Sequence, residues 1–209
     1  MASARNPEPR WPALVAMVAA GFLYLAVPGR LSVGPAWGLL AIVIVLMFPI
    51  IFSIRRGHYH ITRPLTFAAN GFITAALVGS LVFLIYALLH HQETPEELLR
   101  SATSLWVTNV LVFALWYWKL DAGGPSGRDT AKDHIDSSFL FPQMLDPECD
   151  PSWSPQFMDY LFLAFNTSTA FSPTDTAALS RWAKLGMMLQ SLISLTIVVL
   201  LAARAVNIL

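Results

Sequence analysis

Among 209 residues there is one cysteine, Cys149, and only 12% of positions carry a charge. A lone cysteine excludes an intrachain disulfide and a thiolate metal cluster. Lys plus Arg and Asp plus Glu number 13 each, so no excess of basic charge is left over for a nucleic acid, and nucleic acid is not an expected partner. The chain also lacks a phosphate-cradling glycine loop, a nucleophile elbow and a helix-face histidine pair. His58 and His60 are two apart, and His90 and His91 are adjacent, which is not the spacing of metal ligands on one helix face. Asp146, Glu148 and Asp150 alternate as in some calcium loops, without the glycine and distal glutamate of an EF-hand. His134 and the surrounding acids have no recognisable acid-base partner geometry. The expectation is therefore a protein that is not an enzyme and has no catalytic residue, metal or cofactor.

What the chain has in quantity is apolar surface, with 56% hydrophobic residues and a mean hydropathy of +0.57. A soluble fold of this size could not bury so much. The apolar residues gather into uncharged runs from Trp11 to Val27, Pro35 to Ile54, Leu65 to Leu89, Ser101 to Trp118 and Leu185 to Ala203. Each is close to the ~20 residues that cross a hydrocarbon core, and none alternates as a barrel strand does. The fold class predicted is all-α, a polytopic bundle of five transmembrane helices plus a short re-entrant helix, with six spans as the alternative. The first run follows Arg5 and Arg10 but lacks a cleavage pattern, and Val27, Pro28, Gly29 and Arg30 make a turn into the next run; it reads as a retained helix rather than a signal peptide.

Arg30, Arg55, Arg56, Arg63, Arg100, Lys119, Lys184 and Arg204 lie at or beyond run ends, and Trp11, Trp37, Trp106, Trp116, Tyr117 and Trp118 lie mostly near them, as in an aromatic belt. Arg55, Arg56 and Arg63 form the densest basic loop, which places that loop and the N-terminus in the cytoplasm. Glu93, Glu96 and Glu97 suit the outer face. Three parts follow: a four-helix membrane region over 1–118, a polar loop over 119–158, and a C-terminal part over 159–209.

The C-terminal part holds the densest information. Tyr160 to Phe171 is apolar but only about 12 residues long, too short to cross as a helix, and it leads into Asn166, Thr167, Ser168, Thr169, Ala170, Phe171, Ser172, Pro173, Thr174 and Asp175. Irregular backbone at membrane depth survives only where protein or water covers it. A short helix, a hydroxyl-rich segment and a full span make up the layout of a pore loop.

From Asp159 to Leu200 the chain resembles the pore module of the potassium-channel superfamily, in which a pore helix runs into T-x-T-T-V-G-Y-G-D. Aligned from Thr167, this sequence reads T-S-T-A-F-S-P-T-D, with Thr167, Thr169 and Asp175 at the family spacing and Phe171 in place of valine. Leu179, Ser180 and Arg181 are similar to the family's L-G-R, and Ser194 falls near the inner-helix hinge. Ser172 and Thr174 stand where the family has glycines and Pro173 where it has an aromatic residue, so the filter implied is degenerate and not potassium-selective. The resemblance implies a weakly selective channel for monovalent cations formed by a homotetramer in lipid, with Thr167, Ser168, Thr169, Ser172 and Thr174 lining a constriction and Asp175 at its mouth. The C-terminal half, with Phe113 to Leu120 and Phe141-Pro142, also resembles a bacterial family of uncharacterised multi-pass membrane proteins, which implies a bacterial plasma (inner) membrane.

The alternative reading of the same hydroxyls is helix packing in a non-conducting scaffold or partner subunit. Span counting bears on the choice. Four helices before the loop put residues 119–158 in the cytoplasm, whereas potassium-channel pore loops enter from outside. The module is then inverted, or one upstream run does not cross, or residues 159–175 complete a sixth helix.

Overall fold

The computed structural model describes residues 8–56, 59–90, 94–130, 137–146, 153–169 and 175–206, and their side chains except 59–61, 129, 130 and 204–206. Its helices are α1 (Trp11–Tyr24), α2 (Ala36–Arg55), α3 (Tyr59–Leu89), α4 (Pro95–Leu120), α5 (Pro125–Thr130), α6 (Phe157–Thr169) and α7 (Arg181–Val206). Two-residue strands β1 (Phe139–Leu140) and β2 (Ala177–Ala178) pair antiparallel, with Phe139 opposite Ala178. The molecule is a helical bundle in which, among the described residues, α2, α3, α4 and α7 are the four helices long and apolar enough to cross a membrane. That is the build of a multi-pass membrane protein.

The first apolar run is shorter as a helix than the sequence predicts. It stops at Tyr24, after 14 residues, or about 21 Å against a core of about 30 Å. Leu25 to Val27 make a tightened last turn, with Val27 N bonded to Tyr24 O at 3.1 Å. Pro28 lacks the N–H to continue and biases Val27 away from helical angles. Helices α3, α4 and α7 begin before their apolar runs, at Tyr59, Pro95 and Arg181, and in α4 the acidic first turn, with Glu96 and Glu97, favours the early start. In α4, Thr94 accepts from Glu97 N and Glu97 reaches back to Thr94 N at 3.1 Å, a capping box that satisfies two otherwise orphaned donors.

Helix α4 is the axis of the bundle. Its apolar window is 67% buried, against 22% for α2 and α7. It packs on α1 and α3 on one side and on α6 and α7 on the other, so the N-terminal and C-terminal parts share one core. The outer helices turn apolar side chains outward, as Val45, Phe48 and Phe52 of α2 and Leu185, Met188 and Leu192 of α7 do. Large side chains of this kind left in the open on several helices suit lipid, not water.

Hydrogen bonds fix the directions. Lys119 of α4 donates to Thr66 O of α3, and Trp116 Nε1 to Thr74 Oγ1 at 3.0 Å, so α3 and α4 are antiparallel. Tyr160, in the first turn of α6, reaches Asp121 at the end of α4, whereas Ser168 in its last turn meets Gln190 in the middle of α7. Helices α6 and α7 therefore start at the same end and run in the same direction. By Ala177 the chain is back at that end, paired with β1. The 13 residues of α6 make an excursion of about 20 Å from one end of the bundle and back. Arg10, Arg55, Arg63, Lys119, Arg128 and Arg181 all belong to this end, and Arg30, paired with Glu97 at 3.9 Å, belongs to the other.

Candidate functional site

Two buried polar clusters stand out, one at mid-depth between α4, α6 and α7 and one at the cationic end. The first centres on Gln190, which is fully buried. Its Nε2 donates to Ala164 O at 2.6 Å and to Ser168 Oγ at 2.8 Å. Its Oε1 accepts from Tyr117 Oη at 2.7 Å, and its backbone carbonyl accepts from Asn109 Nδ2 at 3.2 Å. The next residue of α7, Ser191, donates through Oγ to Thr167 O at 3.1 Å, and one turn beyond Gln190, Ser194 Oγ donates to Ser168 O at 2.7 Å. Trp106 Nε1 of α4 closes the set on Ser194 Oγ at 2.8 Å. Two of the end carbonyls of α6 that lack a partner within the helix, those of Thr167 and Ser168, are thus taken up by α7.

This geometry places the hydroxyls singled out by sequence. Thr167 is buried and its Oγ1 donates to Leu163 O at 2.8 Å. Ser168 faces α7, and Thr169 is exposed with its hydroxyl on Phe165 O at 3.0 Å. Ser194, expected as a hinge position, is buried at the junction of three helices. Asp175 is exposed. Ala170, Phe171, Ser172, Pro173 and Thr174 lie outside the described residues, as do the side chains of His58, His60, His91, His134, Cys149, Glu148 and Asp150. His90 stacks on Tyr86 at 4.0 Å with Nδ1 2.8 Å from Tyr86 O. Among the described residues no group of three or more metal-ligating side chains comes together.

The second cluster is built by a reversal of the chain after α4. Ala122, Gly123 and Gly124 have φ of 47°, 79° and 84°, a left-handed run that glycine tolerates and that folds α5 back under the end of α4. The return is tight: a Cβ on Gly127 would sit 2.4 Å from Ala122 O. Arg128 is thereby brought up to donate through Nη1 to Trp118 O at 2.9 Å and to Asp121 O at 3.0 Å, a cation on the free carbonyls of a helix C-terminus. Its Nη2 pairs with Glu8 Oε2 at 2.8 Å, with both side chains almost wholly buried. Glu8 Oε1 also accepts from Trp118 Nε1 at 2.5 Å, and the guanidinium lies 5.0 Å from the Tyr160 ring centre.

Asp121, fully buried, accepts from Tyr160 Oη and from Ser138 N, each at 2.5 Å, with Ser137 Oγ at 3.1 Å. Ser138 Oγ in turn accepts from Trp182 Nε1 at 3.0 Å. The carboxylate thus pins the polar loop, α6 and the start of α7 to the end of α4. Phe139 fills the space beneath, with ring centres 5.2 Å from Tyr117 and 5.6 Å from Trp182. Asp159, in the first turn of α6, has its carboxyl pushed above the ordinary range by burial, against the lowering effect of the bond from Gln156 N at 2.7 Å.

Sequence reasoning passed over Gln190, Asp121, Glu8, Arg128 and Tyr160 as interacting groups. The available signal was polarity out of place, as with Asn109 and Gln190 inside apolar runs. For Glu8 and Arg128, 120 positions apart, no local pattern exists. Compared with models of protein families, with curated proteins and with solved structures, the chain matches none.

Proposed function

We propose that this chain is a structural subunit of a bacterial plasma membrane, a multi-pass scaffold or partner subunit in which the Thr167–Thr169 segment holds helices together and does not filter ions. The observation that carries this reading is the Gln190 hub. The hydroxyls of Thr167, Ser168 and Thr169 and the carbonyls of Thr167 and Ser168 are bonded within the chain to α6 or α7. A filter needs such oxygens turned toward a water path. In this reading α6 dips into the membrane from the cytoplasmic side, which is the side the positive-inside rule gives to Arg10, Arg55, Arg63 and Arg181.

The test combines stability with flux. Gln190→Leu leaves Ala164 O and Tyr117 Oη without their partner and lowers stability by about 2 kcal/mol, seen as earlier thermal unfolding in detergent. Proteoliposomes of the wild-type protein carry no cation current above the lipid background. A wild-type current abolished by Thr169→Val would sink the scaffold reading.

One observation favours a second reading, a channel-like tetramer. Helix α6 leaves and regains the same end of the bundle, the path a pore loop takes, and its outward face of Met158, Phe162, Phe165 and Thr169 is exposed in the single chain. Four copies meeting there would bring Thr169 to a common axis. Native mass spectrometry in nanodiscs separates the two: the scaffold reading expects no fourfold species, and the channel reading requires one.

A further inference from the structure

Beside the charged cluster, between the first turns of α1, the start of α3 and the end of α4, lies a cavity of about 350 Å³. Arg10, Arg63 and Lys119 stand on its wall, with Thr62, Thr66 and Ser126 among them. The rest of the lining is mainly apolar and includes Leu14, Met17, Phe67, Leu115 and Trp118. An adjoining open cavity shares Arg10, Leu14 and Ile54 and adds Trp11, Ile51 and Arg55. It leads onto the outer faces of α1 and α2, where Trp11, Phe48 and Phe52 are exposed.

Lys119 is the informative member. It is only 5% exposed, and its ammonium bonds to a neutral acceptor, Thr66 O. Among the described residues no carboxylate pairs with it. Glu8, the acid on the adjoining cavity, is held by Arg128 and Trp118. A buried cation without a counter-ion is costly, and an anion entering this cavity would relieve that cost while meeting two arginines suited to phosphate.

We propose that this cavity binds the phosphate group of an anionic membrane lipid, with Lys119 and Arg63 on the phosphate and the glycerol and first methylenes against Leu14, Phe67 and Trp118. The volume is at the small end of ligand-sized pockets, which fits a headgroup and not a whole lipid. The acyl chains continue through the adjoining opening onto α1 and α2. The position suits this ligand, because the cationic end of the bundle is where headgroups lie and basic pockets between helices on the cytoplasmic side take anionic headgroups. The inference stands whether the protein is a scaffold or a channel.

The experiment uses the full chain in neutral detergent, with thermal unfolding followed by tryptophan fluorescence and lipid retention by native mass spectrometry. The probes are phosphatidylglycerol, phosphatidylcholine and inorganic phosphate. Phosphatidylglycerol should raise the unfolding temperature and stay bound, while phosphatidylcholine and phosphate do neither. Arg63→Gln, an exposed position, and Lys119→Met, which removes a buried charge, should each weaken phosphatidylglycerol binding by about tenfold while still folding. Equal effects of the two lipids, or full binding by both variants, would overturn the site. Stabilisation by inorganic phosphate equal to that by phosphatidylglycerol would overturn the lipid assignment.

Discussion

At the scale of single residues, the two most informative side chains are amides in apolar helices. Gln190 uses both ends of its amide, and its replacement by leucine is costly because the partners it leaves behind are buried. Asn70 of α3 is the opposite case: it is fully buried, and neither its Nδ2 nor its Oδ1 has a partner among the described residues. Desolvating a polar group without compensation costs about 1 to 3 kcal/mol, so Asn70→Leu should raise stability by about 1 kcal/mol, measured as later thermal unfolding. Glu8 shows the penalty for removing one member of a buried pair. Glu8→Ala leaves the Arg128 guanidinium buried without its carboxylate, and stability should fall by about 3 kcal/mol, a loss that simultaneous Arg128→Met partly reverses in a double-mutant cycle.

At the scale of elements, the short reversal from Asp121 to Arg128 has influence out of proportion to its length. It sets the angle at which α5 returns, and through Arg128 and Asp121 it ties α1, α4, α6 and the start of α7 at one end. Gly127→Ala tests it directly. The added methyl meets the Ala122 carbonyl well inside contact distance, so α5 must shift and Arg128 with it. The expected loss is about 2 kcal/mol, accompanied by faster proteolysis within residues 119–158. The apolar runs announce α2, α3, α4 and α7, since about 20 uncharged residues in lipid leave the backbone little choice but helix. The end of α1 at Tyr24 is less legible, because the run stays apolar through Val27 and the stop depends on the geometry before Pro28. The hydroxyl-rich stretch after Phe165 announces a special segment, but a serine in a motif does not say whether it faces water or another helix.

At the scale of the whole molecule, α6 and α7 start at the same end of the bundle, beside the N-terminal end of α1 and the end of α4. Under the proposed function, the positive-inside rule gives the cationic end of the bundle, and with it Gln143, to the cytoplasm. A single cysteine introduced at Gln143, which is exposed, in a Cys149→Ser background should react with a membrane-impermeant maleimide only after the cells are opened. Labelling of intact cells would invert the topology and with it the location of the cationic cavity.

The sequence alone determines that this protein lives in lipid, that it is helical and where four of its long helices run, because hydrocarbon imposes length and hydrogen-bonding rules that can be read locally. It also marks the segment around Thr167 as unusual. Only the tertiary structure decides what the polar residues do. Gln190 meets Ala164, Ser168 and Tyr117, and Glu8 meets Arg128, because α4 gathers distant segments around itself. Such pairings depend on which helix faces are brought together, and that choice is made by packing over the whole bundle.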